Sequence, residues 1–154
     1  MIKILENTLQ NVRQVADIEA VCFGDEAWSE NLVQSEFDST LSTFVAYIVS
    51  NTVVGYASFR AVLDEMQVGN VAVLPQYRRQ GIASTLLTSA LRTIEQSKFH
   101  SAMLIPADQN SAKFYEKFGF KLTGELFDST LFNIDYDLGT GKVERDFVME
   151  RKIY

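Results

Sequence analysis

The chain is poor in the residues that staple, anchor or metallate a protein. Its single cysteine, Cys22, excludes an internal disulfide and makes a reducing, cytoplasmic home the expected one. One histidine, His100, and that one cysteine supply no cluster with metal-ligand spacing, so no metal is expected. No apolar run approaches the ~20 residues of a membrane span. The opening Met1-Ile2-Lys3-Ile4-Leu5-Glu6 lacks the apolar stretch of a secretion signal, so no membrane partner is expected. An excess of basic residues is also absent: 14 Lys and Arg stand against 20 Asp and Glu, for a net charge of −6. That balance argues against nucleic acid as the main partner and leaves room for a cationic one, such as an amine.

What is present is ordinary globular composition, 47% hydrophobic and 22% charged over 154 residues. That suffices for one domain with one sizeable core, spanning 1–154. Ile2–Leu5 reads as a first strand. Asn7 or Thr8 then caps a helix whose Val12, Val15, Ile18 and Cys22 recur at three- and four-residue steps. Cys22 on that stripe reads as core rather than nucleophile. Phe23-Gly24-Asp25 ends the helix, and Ser29 caps a second one to about Phe37. Thr43–Val49 and Val53–Val62 flank the turn Ser50-Asn51-Thr52 as a hairpin. Met66–Val73 is a third long strand after the polar Asp64-Glu65.

The most informative segment follows. Asn70-Val71-Ala72-Val73-Leu74 enters the turn Pro75-Gln76-Tyr77-Arg78-Arg79-Gln80, which closes on Gly81. Gly81 opens the best amphipathic helix, with Ile82, Leu86, Ala90 and Ile94 joined by Ala83, Leu87 and Leu91. Such a strand–turn–helix leaves unpaired backbone N–H groups at a helix N-terminus, where a diphosphate would sit. The lysine of a nucleotide P-loop is missing, and Arg79 stands where a dinucleotide fingerprint would need glycine. What remains is Arg-x-x-Gly-x-Ala, carried by Arg78, Gly81 and Ala83. Gly81 lets main chain approach a ligand with no Cβ between them. Arg78 or Arg79 can add charge-assisted contacts.

Ser101–Ile105 then reads as a strand stopped by Pro106. Asn110 or Ser111 begins a helix carrying Phe114, Tyr115 and Phe118, and Gly119 ends it ahead of a strand over Phe120–Phe127. Asp137–Lys142 is a turn and Val143–Arg151 a last strand. The order β-α-α-β-β-β-α-β-α-β-β predicts an α/β protein with a mixed sheet of six to seven strands and helices on both faces.

The run Arg78-Arg79-Gln80-Gly81-Ile82-Ala83 resembles the acyl-CoA-binding motif of the GNAT N-acetyltransferases. The downstream Asn110-Ser111-Ala112-Lys113-Phe114-Tyr115-Glu116-Lys117-Phe118-Gly119-Phe120 resembles the same family's second motif, and the likeness covers nearly the whole chain. Ala27-Trp28-Ser29 and Val62-Leu63-Asp64-Glu65 are similar to the ribosomal-protein alanine acetyltransferase branch. The resemblance implies acetyl-CoA as acyl donor and direct transfer to a primary amine, on a protein or peptide N-terminus or a small molecule. It implies that Val71, Ala72 and Val73 meet the pantetheine arm through their backbone. Arg78, Arg79, Gln80, Gly81, Ile82, Ala83 and Ser84 would surround the diphosphate, and Asn110 would bond the pantetheine or its acyl end. Tyr115 would be the general acid for the leaving thiolate.

The family's proton acceptor has no counterpart here: Gln67 and Ile105 stand at its usual positions. Glu65, on the face of Gln67 two residues earlier, is the remaining candidate acting through water, ahead of Asp64. His100 falls at the start of its strand, away from the C-terminal strand ends where ligands gather, and reads as surface. Asp128, Asp135 and Asp137 among Phe127, Phe132 and Tyr136 suit a cationic acceptor or a solvated hairpin equally. Cys22 is expected to lie far from the phosphate turn. The chain is expected to be a monomer or homodimer. The competing reading is a catalytically weak acyl-CoA-binding module or sensor, motivated by the missing carboxylates.

Overall fold

The structure, a computed structural model, describes residues 1–63, 65–95, 101–104, 109–127, 136–137, 142–143 and 145–152. Its contacts divide into two units, Met1–Phe99 and His100–Tyr154.

In the first unit β1 (Ile2–Ile4) precedes α1 (Leu9–Phe23). Thr8 caps α1, its hydroxyl accepting from the Asn11 amide at 3.1 Å, which satisfies one of the orphan donors of the first turn. A short 3₁₀ turn over Gly24–Glu26 leads to α2 (Glu30–Asp38), capped in the same way by Ser29. Strands β2 (Ser42–Val49), β3 (Thr52–Val62) and β4 (Glu65–Val73) follow, and the sheet order is β1-β2-β3-β4, antiparallel throughout. Ser50 and Asn51 both take positive φ, 50° and 64°, the pairing whose twist matches the flanking strands.

Residues 53–59 of β3 are buried in succession, so both faces of this strand are covered. On one face Tyr56 joins Phe44, Ala46 and Ala72 against Val12, Val15 and Ile18 of α1 and Val33 of α2. On the other face a Cβ at Gly55 would lie 3.3 Å from Leu86 Cδ1 of α3 (Ile82–Glu95). Ile82, Leu86, Leu87, Ala90, Leu91 and Ile94 are all buried, as the apolar stripe required. Helices therefore cover both faces of this sheet.

Strand β4 is irregular. Ala57 pairs with Val71, but Phe59 pairs with Val68, so Gly69 and Asn70 together oppose Ser58. This is a β-bulge, which bends the strand and re-aims its side chains. Gly69 has no room for a Cβ, because the Ser58 hydroxyl occupies that space. β4 also begins at Glu65, which pairs with Val62, one residue before the strand read from the sequence.

In the second unit β5 (Ser101–Leu104) precedes α4 (Gln109–Glu116) and β6 (Lys121–Phe127). The chain leaves α4 through Gly119 at φ 87°, with Phe120 N–H bonded to Tyr115 O and Gly119 N–H to Glu116 O. That pair of bonds is a Schellman motif, and the positive φ is why a glycine stands there. β7 (Tyr136–Asp137) pairs with β8 (Lys142–Val143), and β9 (Arg145–Lys152) lies between β5 and β6. The last strand read from the sequence, Val143–Arg151, is thus two pieces, because Val143 and the residues after 144 serve different partners. Asp64, His100, Ile105, Pro106, Ala107 and 128–135 lie outside the described residues. Among those described, no helix is long and apolar enough to cross a membrane, and no group of three His, Cys, Asp or Glu could hold a metal ion. The α/β class read from the sequence holds.

Candidate active site

The turn between β4 and α3 is built from backbone geometry that the sequence dictates. Pro75–Tyr77 forms a single 3₁₀ turn, with Tyr77 N–H bonded to Leu74 O at 2.9 Å. Arg79 and Gly81 then take positive φ, 62° and 76°. Arg79 bears the strain of that conformation, whereas Gly81 adopts it freely. The first bond of α3 runs from Thr85 N–H to Gly81 O at 3.0 Å. The amides of Ile82, Ala83 and Ser84 precede it and have no intrahelical acceptor. They open with Val73, Tyr77, Arg78, Arg79 and Gly81 onto a pocket of about 220 Å³. Concave shape, free amides and two arginines make it fit for an anion. Most of the residues that the sequence nominated for a diphosphate come together here; Gln80, on the same turn, is exposed.

Arg78 is held in place by its own strand. Its Nε donates to Val73 O at 2.9 Å and its Nη2 to Cys22 Sγ at 3.5 Å, while the Cys22 thiol donates to Val73 O at 3.5 Å. Cys22 is therefore not remote from the phosphate turn, as the inferred topology had it. The C-terminal end of α1 lies against the C-terminal end of β4, which brings the two together.

A second pocket, about 140 Å³, is lined by Trp28, Glu36, Ser58, Phe59, Arg60, Gln67 and Gly69. Gln67 enters it from the half of β4 ahead of the bulge. The Glu36 carboxylate accepts from the Ser42 hydroxyl at 2.7 Å and from Arg60 Nη1 at 3.4 Å. Glu65 is half-buried at the start of β4 and does not line this pocket.

Behind this pocket lies a carboxylate that sequence reasoning passed over. Glu19 is 0% exposed. It accepts from Trp28 N–H at 3.2 Å and from Asn70 Nδ2 at 2.9 and 3.2 Å to its two oxygens. The buried Tyr56 hydroxyl faces the same carboxylate outside good hydrogen-bonding geometry. Burial raises the Glu19 carboxyl above its ordinary value, opposed by the hydrogen bonds it accepts. Burial, and then the Glu19 charge, push the Tyr56 phenol well up. The signal was present in the sequence: Glu19 stands at i+4 from Val15 and i−3 from Cys22, on the apolar stripe itself.

In the second unit Tyr115 is 9% exposed, edge-on to Phe114 and Phe120 with centroids 5.4 and 6.0 Å away. Burial pushes its phenol from 10 up to about 12, which extends the range over which the hydroxyl stays protonated to the alkaline side. Asn110 stands in the first turn of α4.

Residues 11–130 match the family described as the acetyltransferase (GNAT) domain. The chain belongs to the GNAT acetyltransferase family. A stretch of 74 residues is 35% identical to the [ribosomal protein bS18]-alanine N-acetyltransferase of Haemophilus influenzae, covering 47% of this chain. The matched stretch spans 51%, about half, of that relative's length. The fold is shared with the ribosomal-protein-S18-alanine N-acetyltransferase of Escherichia coli, with a TM-score of 0.80 at 21% identity over 99% of this chain and 94% of that one. It is shared equally with an aminoglycoside 6′-N-acetyltransferase complexed with coenzyme A, with a TM-score of 0.83 at 16% identity over 100% and 97%. Two GNAT enzymes of unlike acceptors thus match the backbone about equally well, and fold alone does not choose between them.

Proposed function

We propose that this GNAT acetyltransferase passes an acetyl group from acetyl-CoA directly to a primary amine, and that the amine is the N-terminus of a protein or peptide. The observation that carries the reading is the pocket of free amides and arginines at the N-terminus of α3. It supplies donors for the coenzyme's diphosphate, with Val71, Ala72 and Val73 offering backbone to the pantetheine arm; the family resemblance gives Asn110 a hydrogen bond to the pantetheine or its acyl end. The family match supports the reaction, and the stretch shared with the H. influenzae enzyme favours a peptide N-terminus over a small amine. The single cysteine is consistent with action in the cytoplasm.

The groove lined by Trp28, Glu36 and Gln67 is assigned to the acceptor. Its carboxylate, Glu36, paired with Arg60 at 3.4 Å, offers an acceptor for a cationic amine. The amine must lose a proton before it attacks, and Gln67 cannot accept one. Glu65, on the same strand face, takes it through water. Tyr115, whose phenol carries its proton across the neutral range, is assigned as donor to the departing thiolate. Cys22, engaged with Arg78 and Val73, forms no acetyl intermediate.

The test is an acceptor screen with acetyl-CoA, following thiol release across peptides of different first residues and a panel of small amines. Turnover on one class of peptide, slowed in Glu65→Gln and with no acetyl adduct on the intact protein, is expected. Tight binding of coenzyme A without turnover on any amine would mean a sensor. No binding at millimolar coenzyme would end the proposal.

A further inference from the structure

The acceptor groove is walled by two segments of different origin. Trp28 comes from the connection between α1 and α2; Gly69 and Ser58 come from the bulge of β4 and its partner strand. Trp28 lies outside helix and strand, and Gly69 sits where the β3–β4 ladder is interrupted. At the bulge Asn70 N–H turns away from the ladder and bonds the Ser58 hydroxyl at 3.1 Å. At the other wall Trp28 follows a 3₁₀ turn.

One side chain ties the two together. Glu19 accepts from Trp28 N–H through Oε1 and from Asn70 Nδ2 through both oxygens, with no exposed surface. A buried carboxylate is expensive to keep, and an apolar side chain here would complete the stripe of α1. The carboxylate does what an apolar side chain could not: it accepts at once from the Trp28 backbone N–H and from the side-chain amide of Asn70 at the bulge. We propose that Glu19 is the positioning residue of the acceptor groove, fixing the Trp28 wall against the β4 bulge through Asn70 without touching either reactant. This rests on assigning the groove to the acceptor.

The predicted signature is a split between the two substrates. Glu19→Leu removes both bonds, and Asn70→Ala removes the one to the bulge. Each raises the acceptor KM about tenfold, the loss of a charge-assisted hydrogen bond of roughly 1.4 kcal/mol, with coenzyme A affinity within about twofold of wild type. The double variant is no worse than Glu19→Leu alone, since one linkage is broken either way. Glu19→Gln preserves the linkage: its carbonyl accepts from Trp28, its amide donates to Asn70 after that amide turns over, and KM stays near wild type.

Trp28 is the only tryptophan, so its fluorescence reads the groove wall without any acceptor. Acrylamide quenching is expected to rise in Asn70→Ala and Glu19→Leu and to stay native in Glu19→Gln. Should Glu19→Leu not fold, Asn70→Ala carries both measurements. Native quenching and an unchanged acceptor KM in Asn70→Ala overturn the proposal. So does an equal loss of coenzyme and acceptor binding. Disturbed quenching in a protein that turns over no amine would leave the linkage standing and remove the acceptor assignment instead.

Discussion

Arg78 folds back onto Val73, its Nε donating to the Val73 carbonyl at 2.9 Å across the turn that joins β4 to α3. The residue that opens the phosphate turn is thus fastened to the strand residue that would meet the pantetheine arm. The guanidinium holds the shape of the turn as well as adding charge to it. Arg78→Ala is expected to cost about 1 kcal/mol of stability, the net worth of one such bond, and to weaken coenzyme A binding about tenfold. Arg78→Lys restores the charge but not the planar fork, and recovers little of either. Chemical denaturation and calorimetric titration with coenzyme A read the two losses separately.

Gly81 is expected to separate stability from binding. Its φ is 76°, yet a Cβ there meets nothing within 4 Å. Gly81→Ala therefore carries no clash in the free protein, only a backbone cost of about 1 kcal/mol. If the diphosphate is held at this turn as proposed, the new methyl stands in its approach. Affinity measured by titration should fall by more than the stability change accounts for. Equal losses would place the diphosphate elsewhere.

Tyr115→Phe is expected to lower kcat about a hundredfold, the low end for loss of a general acid, with little change in coenzyme affinity. The same substitution changes the alkaline side of the stability curve. The phenol's ordinary value is 10 and burial raises it to about 12 in the folded protein. Below 10 both states keep the proton and the group is neutral to stability. Between 10 and 12 the unfolded chain ionises while the native one does not, so stability falls as pH rises. Phenylalanine removes that contribution, and its denaturation midpoint should decline less steeply over this window.

Glu19→Gln is expected to be at least as stable as wild type at pH 7. The folded Glu19 carboxyl lies above its ordinary value of 4.5 because it is buried. A raised carboxyl contributes most below that value and loses its contribution as pH rises through the folded-state value. Wild type should therefore gain on the glutamine variant as pH is lowered toward 4.5 and hold that gain, without adding to it, beneath 4.5, measured by urea unfolding at matched pH. The opposite trend would mean that the hydrogen bonds outweigh burial in setting the charge state.

Local signals carried most of the element order. Thr8 and Ser29 cap helices where their hydroxyls reach the third residue on, and Gly119 ends α4 through the positive φ its place demanded. The turn ahead of α3 was legible for the same reason: its backbone geometry is contained in one contiguous segment. The groove lined by Trp28, Glu36 and Gln67 was not. Glu19 and Asn70 are 51 residues apart, and their bond depends on a bulge that period-two alternation does not reveal. The nearness of Cys22 to Arg78 is likewise a matter of packing, since nothing local to either residue encodes it. Charge on an apolar stripe was the one clue available, and it marks the residue that joins the distant parts.

The bulge at Gly69 and Asn70 has a consequence for how β4 changes over time. It works as a slip joint: Gln67, ahead of it, faces the groove while the pairing beyond it, from Val71 to Val73 against β3, keeps its own phase. On the proposed assignment, substitutions at the groove end would retune the amine accepted while the pairing at the coenzyme end keeps its register, so one strand would carry two separately variable halves.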